Sequence, residues 1–176
     1  MSGHNKWSKI KNKKGAEDAR KSNIFSKLSK QIISESKINN GDINSPGLAA
    51  AIEAAKKENM PKDTIERAIK KGTDKNTAEL ESITYESYGP GGVAIIIEGL
   101  TDNKNRSAAE IRHILSKKGY EIAAPGSASW AFLKEGHNWT AKNTVPISEE
   151  DKTKLDSIID ELLDSEEVQD VFTNAE

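Results

Sequence analysis

The run ITYESYGPGGVAIII, residues 83–97, is where this chain changes its period. Ile83 to Tyr88 is rich in β-branched and aromatic side chains, Gly89-Pro90-Gly91-Gly92 has turn chemistry, and Val93 to Ile97 is apolar without a break. An unbroken apolar run of that length reads as a strand buried on both faces, and the two runs about the turn read as a hairpin. Upstream of it the apolar residues recur at helical spacing; downstream, helix and strand patterns alternate. The hairpin therefore divides a helical half from a mixed half.

In the helical half, Ala16 to about Lys37 carries Ile24, Phe25, Leu28 and Ile32 on one stripe, and Asn39-Asn40-Gly41-Asp42 stops it. Ser45 reads as an N-cap with Pro46 as first helical residue, Leu48, Ile52 and Ala55 form the next stripe, and Asn59 ends it. Pro61 restarts the chain, Ile65, Ala68 and Ile69 follow, and Gly72 after Lys70-Lys71 is expected just beyond the helix end. Residues 1–80 are thus expected to be a three-helix N-terminal domain with a basic arm, closing on the polar linker Asp74 to Glu79.

Beyond the hairpin, Ser107-Ala108-Ala109-Glu110 has capping-box spacing, Ile111, Ile114 and Leu115 continue a helix, and Gly119 ends it. Trp130 and Phe132 are expected on one face of a further strand. Asn143 to Ile147 reads as extended, Glu149 to Asp164 as an amphipathic helix carrying Leu155, Ile158, Ile159 and Leu162, and Val168 to Phe172 as a last strand. The fold class is α+β: residues 81–176 form a sheet with helices on one face, completed by a C-terminal β-α-β segment.

Composition bounds the function. A chain of 176 residues, 35% hydrophobic and 31% charged, has the make-up of one soluble globular domain or two small ones. Its longest apolar runs, Leu48 to Ile52 and Val93 to Ile97, are too short for a bilayer, and no secretory pattern follows the early lysines, so a cytoplasmic location and no membrane partner are expected. The absence of cysteine removes disulfides, thiolate nucleophiles and cysteine-bound zinc. His4, His113 and His137 are scattered, with no paired ligand spacing and no serine elbow, so neither catalytic residue, metal, cofactor nor small-molecule substrate is expected.

Charge is strongly uneven although the net is only -2: Met1 to Lys30 carries +7 and Ala141 to Glu176 carries -8. A basic arm opposed to an acidic tail points to a polyanionic partner at one end.

The stretches "GHNKWSKIKNKK", "IFSKL", "NMPKDTIERAIKKG", "YESYGPGGVAIIIEGLTDNKNR" and "EIRHILSKKG" resemble the YebC/PmpR family, which includes a mitochondrial translational activator of cytochrome oxidase. The likeness runs from Met1 to about Leu133 and resumes from about Asn143 to Glu176. It implies a helical N-terminal domain, an α+β domain, and a regulator of gene expression acting on promoter DNA or on the ribosome. Family members usually insert a further α/β domain between the two matching blocks; here a short loop, residues 134–142, stands in its place.

The residues themselves suggest where a nucleic acid would bind. Lys6, Lys9, Lys11, Lys13, Lys14, Arg20 and Lys21 can each displace a counterion from a phosphate backbone, and Trp7 among them can stack on an unpaired base. Alternatively, the arm is a solvated tail with Trp7 tucked against the first helix. Lys70 and Lys71 are candidates for phosphate, although pairs such as Glu53/Lys57, Asp63/Arg67 and Glu66/Lys70 are what an ordinary helix surface presents. Lys104 and Arg106, with Asn103 and Asn105, are expected just before a helix N-terminus, a place that suits an anion. Tyr88, Gly89, Pro90, Gly91 and Gly92 form a side-chain-poor tip that allows close backbone approach, unless they serve the turn alone, and the tip is expected to point away from the acidic segment. Asp63 and Glu66 on the third helix would face phosphate unfavourably in a helix-turn-helix reading. An RNA-contacting, ribosome-associated translation factor is therefore preferred, with rRNA favoured over promoter DNA; a DNA-binding transcriptional regulator and a protein-interaction module are the alternatives.

Overall fold

The computed structural model describes residues 17–176, with side chains from Arg20 onward, and these divide into two compact units, residues 17–81 and 82–176. The first holds α1 (Glu17–Ile38), α2 (Pro46–Lys57) and α3 (Lys62–Thr73). Both expected asparagine stops are left-handed caps. Asn40 has φ +50° with the Gly41 N–H donating to the Ser36 carbonyl at 2.8 Å, and Asn59 has φ +60° with the Met60 N–H donating to the Ala55 carbonyl at 3.0 Å. Ser45 is the N-cap residue of α2, but its hydroxyl donates to the Asp42 carbonyl at 2.7 Å instead of capping the helix. Leu28, Ile32 and Ile33 of α1, Leu48, Ala51 and Ala55 of α2, and Ile65 and Ala68 of α3 close the core.

Gly72 is not the stop residue expected from its position after two lysines. It is buried inside α3, where an added Cβ would lie 2.5 Å from Ser36 Cβ and 2.6 Å from the Ile33 carbonyl oxygen, so the missing side chain is what lets α3 press on α1. Gly72→Ala is accordingly expected to lower stability by about 1–2 kcal/mol, the overpacking outweighing alanine's better helix propensity of about 1 kcal/mol. Urea unfolding checks this; a more stable variant would contradict it.

The second unit is built on a sheet in the order β3-β1-β2-β6, comprising β1 (Glu81–Tyr88), β2 (Ala94–Thr101), β3 (Ile122–Ala123) and β6 (Val168–Thr173). β2 and β6 are antiparallel, with Ile96 opposite Phe172 and Ile97 opposite Val171. α4 (Lys104–Lys117) and α5 (Glu149–Asp164) supply Ile111, Ile114, Leu115, Leu155, Ile158 and Leu162 to one face, meeting Ile95 and Ile97. Lys117 of α4 and Lys118, the C-cap residue after it, pair with Glu161 of α5. These elements give the α+β class read from the sequence.

The expected loop, residues 134–142, falls largely within a hairpin of residues 132–141. β4 (Phe132–Glu135) and β5 (Asn138–Ala141) pair in register about Gly136, which has φ +63°. Phe132 and Trp139, edge to face at 6.3 Å between ring centres, cover the sheet face that carries Ala94, Ile96 and Phe172. Trp139 donates its indole N–H to Glu98 Oε1 at 2.7 Å while Lys134 lies 4.8 Å over its ring. The sheet is thus covered on both faces, by helices on one and by this hairpin on the other.

Candidate nucleic-acid interface

Lys6, Trp7, Lys9, Lys11, Lys13 and Lys14 lie outside the described residues. Among the described candidates, Lys21 is exposed with its ammonium 5.6 Å from the centre of the Phe25 ring, and Arg20, half-buried, precedes it on the first turn of α1. Lys70 and Lys71 are exposed in the last turn of α3. Of the three ion pairs read from helical spacing, Glu53/Lys57 at 3.7 Å and Asp63/Arg67 at 3.5 Å are present, but Glu66 pairs with Lys62 at 3.7 Å instead of Lys70. Among the described residues neither Lys70 nor Lys71 has an ion-pair partner, so their charge remains available to solvent or to a ligand. The two sets are not brought together. Gly72 packs on Ile33 and Ser36, and at 1.5 Å of rise per residue that contact is roughly 20 Å along α1 from Arg20.

In the sheet unit, Lys104 and Arg106 do not precede the helix but lie in its first turn. The N-cap of α4 is Asn103, whose side chain accepts from the Arg106 N–H at 3.0 Å. Ser107, expected as the cap, is buried in the helix and accepts from the Tyr85 hydroxyl at 2.9 Å. The Arg106 guanidinium bridges Asp102 at 2.6 Å and Glu167 at 2.7 Å. It ties the start of α4 to the residue before β6, and would have to leave a buried carboxylate to serve an anion.

The Gly-Pro-Gly-Gly loop is a single 3-10 turn over Pro90–Gly92, with the Gly89 N–H donating to the Val93 carbonyl at 2.9 Å. Gly91 and Gly92 have φ +70° and +77°, a region costly for other residues. The loop does not point away from the acidic segment. A Cβ on Gly91 would lie 2.8 Å from Ile147 Cγ2 and 3.4 Å from Asp151 Oδ2, so the turn rests on the start of α5, whose N-cap Ser148 accepts from the Asp151 N–H at 3.1 Å. Gly89 and Pro90 are buried; Gly92 is exposed and has open space around its Cα.

Beside this loop lies an arrangement that the sequence reading missed. Trp130 is not on a strand with Phe132; it sits in a 3-10 turn, Ser129–Ala131, and the residue is 56% exposed. Its indole N–H donates to the Tyr88 hydroxyl at 3.1 Å, and that hydroxyl donates to the Ser127 carbonyl. Glu86, two residues before Tyr88 on β1 and buried, accepts from the backbone N–H groups of Gly126 at 2.8 Å, Ala128 at 2.7 Å and Ser129 at 2.9 Å. Burial pushes the Glu86 carboxyl up, but those three donors together outweigh it and hold the group below the ordinary carboxylate range. Nothing in the mixed run ESITYESY of β1 sets Glu86 apart from Glu81, so the sequence carried no signal of this role. Because the folded-state value is depressed, the ionised group stabilises the fold above the unfolded value of about 4.3, and that contribution disappears as pH falls through the folded value. Glu86→Gln is therefore expected to cost about 2 kcal/mol near neutral pH, with the difference from the parent shrinking in acid. Unfolding measured across that pH range checks it; a pH-independent difference would contradict it.

Among the described residues no helix is long and apolar enough to cross a membrane, and no group of acidic and histidine side chains is placed to hold a metal ion.

A helical unit followed by an antiparallel sheet unit with helices on one face defines a class of α+β proteins with solved members. The structure superposes on a conserved hypothetical protein from Aquifex aeolicus with a TM-score of 0.83, at 30% identity over 95% of each chain. In sequence, residues 5–75 match the TACO1/YebC protein N-terminal domain and residues 80–138 the TACO1/YebC second and third domain. The chain belongs to the TACO1/YebC family. Among its relatives are proteins from Desulfosudis oleivorans, 46% identical over all of this chain and 72% of its own length, and from Geobacter sulfurreducens, 47% identical over 99% and 71%. Both bear the name "Probable transcriptional regulatory protein".

Proposed function

We propose that this chain is a non-catalytic regulator of gene expression that binds RNA on the ribosome and acts in translation. The observation that supports it most is the placement of positive charge: the segment from Met1 to Lys30 carries +7, and Lys70 and Lys71, exposed at the end of α3, have no ion-pair partner among the described residues. The start of α3, which a helix-turn-helix would lay in a DNA groove, instead presents Asp63 and Glu66 in pairs with Arg67 and Lys62. In this reading the arm supplies affinity through phosphates and Trp7 stacks on an unpaired base. The tip at Tyr88 to Gly92 approaches the RNA backbone through Gly92, where no side chain intervenes.

The relatives' shared name favours a second reading, a DNA-binding transcriptional regulator. Competition between a structured RNA with unpaired loops and duplex DNA of matched length, at equal salt, separates the two. Preference for the RNA by about tenfold or more, with Trp7→Ala costing about 1–3 kcal/mol on RNA and much less on the duplex, is expected. Tighter binding to the duplex would establish the second reading.

A further inference from the structure

Trp130 stands out in the fold: a tryptophan 56% exposed sits between Ala128 and Ala131, both fully buried, and contributes little to the core beneath it. Yet it is held firmly. Its N–H is bound to the Tyr88 hydroxyl, that hydroxyl to the Ser127 carbonyl, and the backbone of Gly126, Ala128 and Ser129 to the Glu86 carboxylate. With the indole and phenol donors both engaged inside the protein, what the exposed residue offers outward is aromatic carbon, a surface for stacking without a hydrogen-bond donor. A partner for that surface is flat and needs no acceptor placed for the indole N–H. The preceding residues, Ala123-Ala124-Pro125-Gly126-Ser127-Ala128, bring no bulky side chain to the ring's surroundings.

Charge narrows the partner further. The Lys142 N–H donates to the Ala131 carbonyl at 2.8 Å, so the Lys142 side chain departs beside the residue that follows Trp130. Lys142 is exposed and, among the described residues, has no ion-pair partner. Glu86, the acid within this network, is buried and its oxygens are engaged by three amides. A rigid aromatic surface with a free ammonium on a flexible stem beside it matches a base and its adjoining phosphate. We propose that Trp130, fixed by Tyr88 and flanked by Lys142, is a stacking site for an unpaired RNA base, with Lys142 taking the neighbouring phosphate. The site rests on the RNA reading above and adds a second point of attachment, on the sheet unit, to the basic arm.

The test is the affinity of the full chain for a labelled single-stranded oligouridine of about ten nucleotides, a length within the range that one such groove covers. Trp130→Ala is expected to weaken binding about tenfold and Trp130→Phe by less than about threefold, since a phenyl face still stacks. Lys142→Gln should reduce the log-log salt slope by about one. Circular dichroism and unfolding of each variant should match the parent, because Trp130 and Lys142 are exposed. If the parent binds the oligonucleotide and Trp130→Ala binds it equally well, the stacking site is overturned and the RNA reading stands. Failure of the parent to bind any RNA overturns both. Should Trp130→Ala lose a protein from affinity-purified complexes while keeping its RNA affinity, the surface serves a peptide and the proposal also falls.

Discussion

Removal of residues 1–14 is expected to weaken RNA binding by about 100-fold near 0.1 M salt and to flatten most of a log-log salt slope of roughly -4. That segment carries Lys6, Lys9, Lys11, Lys13 and Lys14, and each phosphate neutralised on a single strand contributes about -0.7 to the slope. Arg20, Lys21, Lys70, Lys71 and Lys142 remain in the truncated chain and account for the residual dependence. Titration at four or five salt concentrations measures it. A slope unchanged by the truncation would remove the arm from the mechanism.

The second large effect belongs to the Gly-Pro-Gly-Gly turn, and the structure separates its two exposed glycines. Gly91→Val would place a branched side chain at φ +70° against Ile147 and Asp151, and is expected to destabilise the sheet unit by about 3 kcal/mol or more. Gly92→Ala meets open space and carries only the backbone strain of φ +77°, about 1–2 kcal/mol. It is therefore the informative variant. RNA affinity should stay within about twofold because the cations lie elsewhere, while activity in a reconstituted translation assay should fall about tenfold or more as the added methyl blocks close backbone approach. Full activity in folded Gly92→Ala would reduce the turn to a structural role, and an equal loss of affinity and activity would make it the main binding site.

The parts of this molecule that were legible in the sequence are those set by local chemistry. Asn40 and Asn59 end helices because asparagine tolerates a left-handed backbone, and α5 begins at Glu149, Glu150 and Asp151 because the helix N-terminus favours negative charge. The strand Val93 to Ile97 was legible because no solvated strand carries five apolar residues in a row. What escaped depended on partners distant in sequence. Gly72 has the flanking lysines of a helix end, but its role is fixed by Ser36 on another helix. Ser107 has the spacing of a cap, yet the helix begins one turn earlier because Asn103 reaches the Arg106 N–H, and the serine serves Tyr85. The Trp130 site escaped altogether, because it is assembled from Glu86 and Tyr88 some forty residues away and alternation alone placed the indole beside Phe132. In the same way residues 134–142 look like a polar connection until Trp139 is seen to lie under Lys134 and against Phe132.

The proposed action on the ribosome through RNA is tested by sedimentation of cell lysate through a sucrose gradient, with and without ribonuclease. The full chain is expected to travel with ribosomal particles, to return to the top of the gradient after ribonuclease, and to shift towards the top when residues 1–14 are removed. Sedimentation that is insensitive to ribonuclease but abolished by deoxyribonuclease would contradict it.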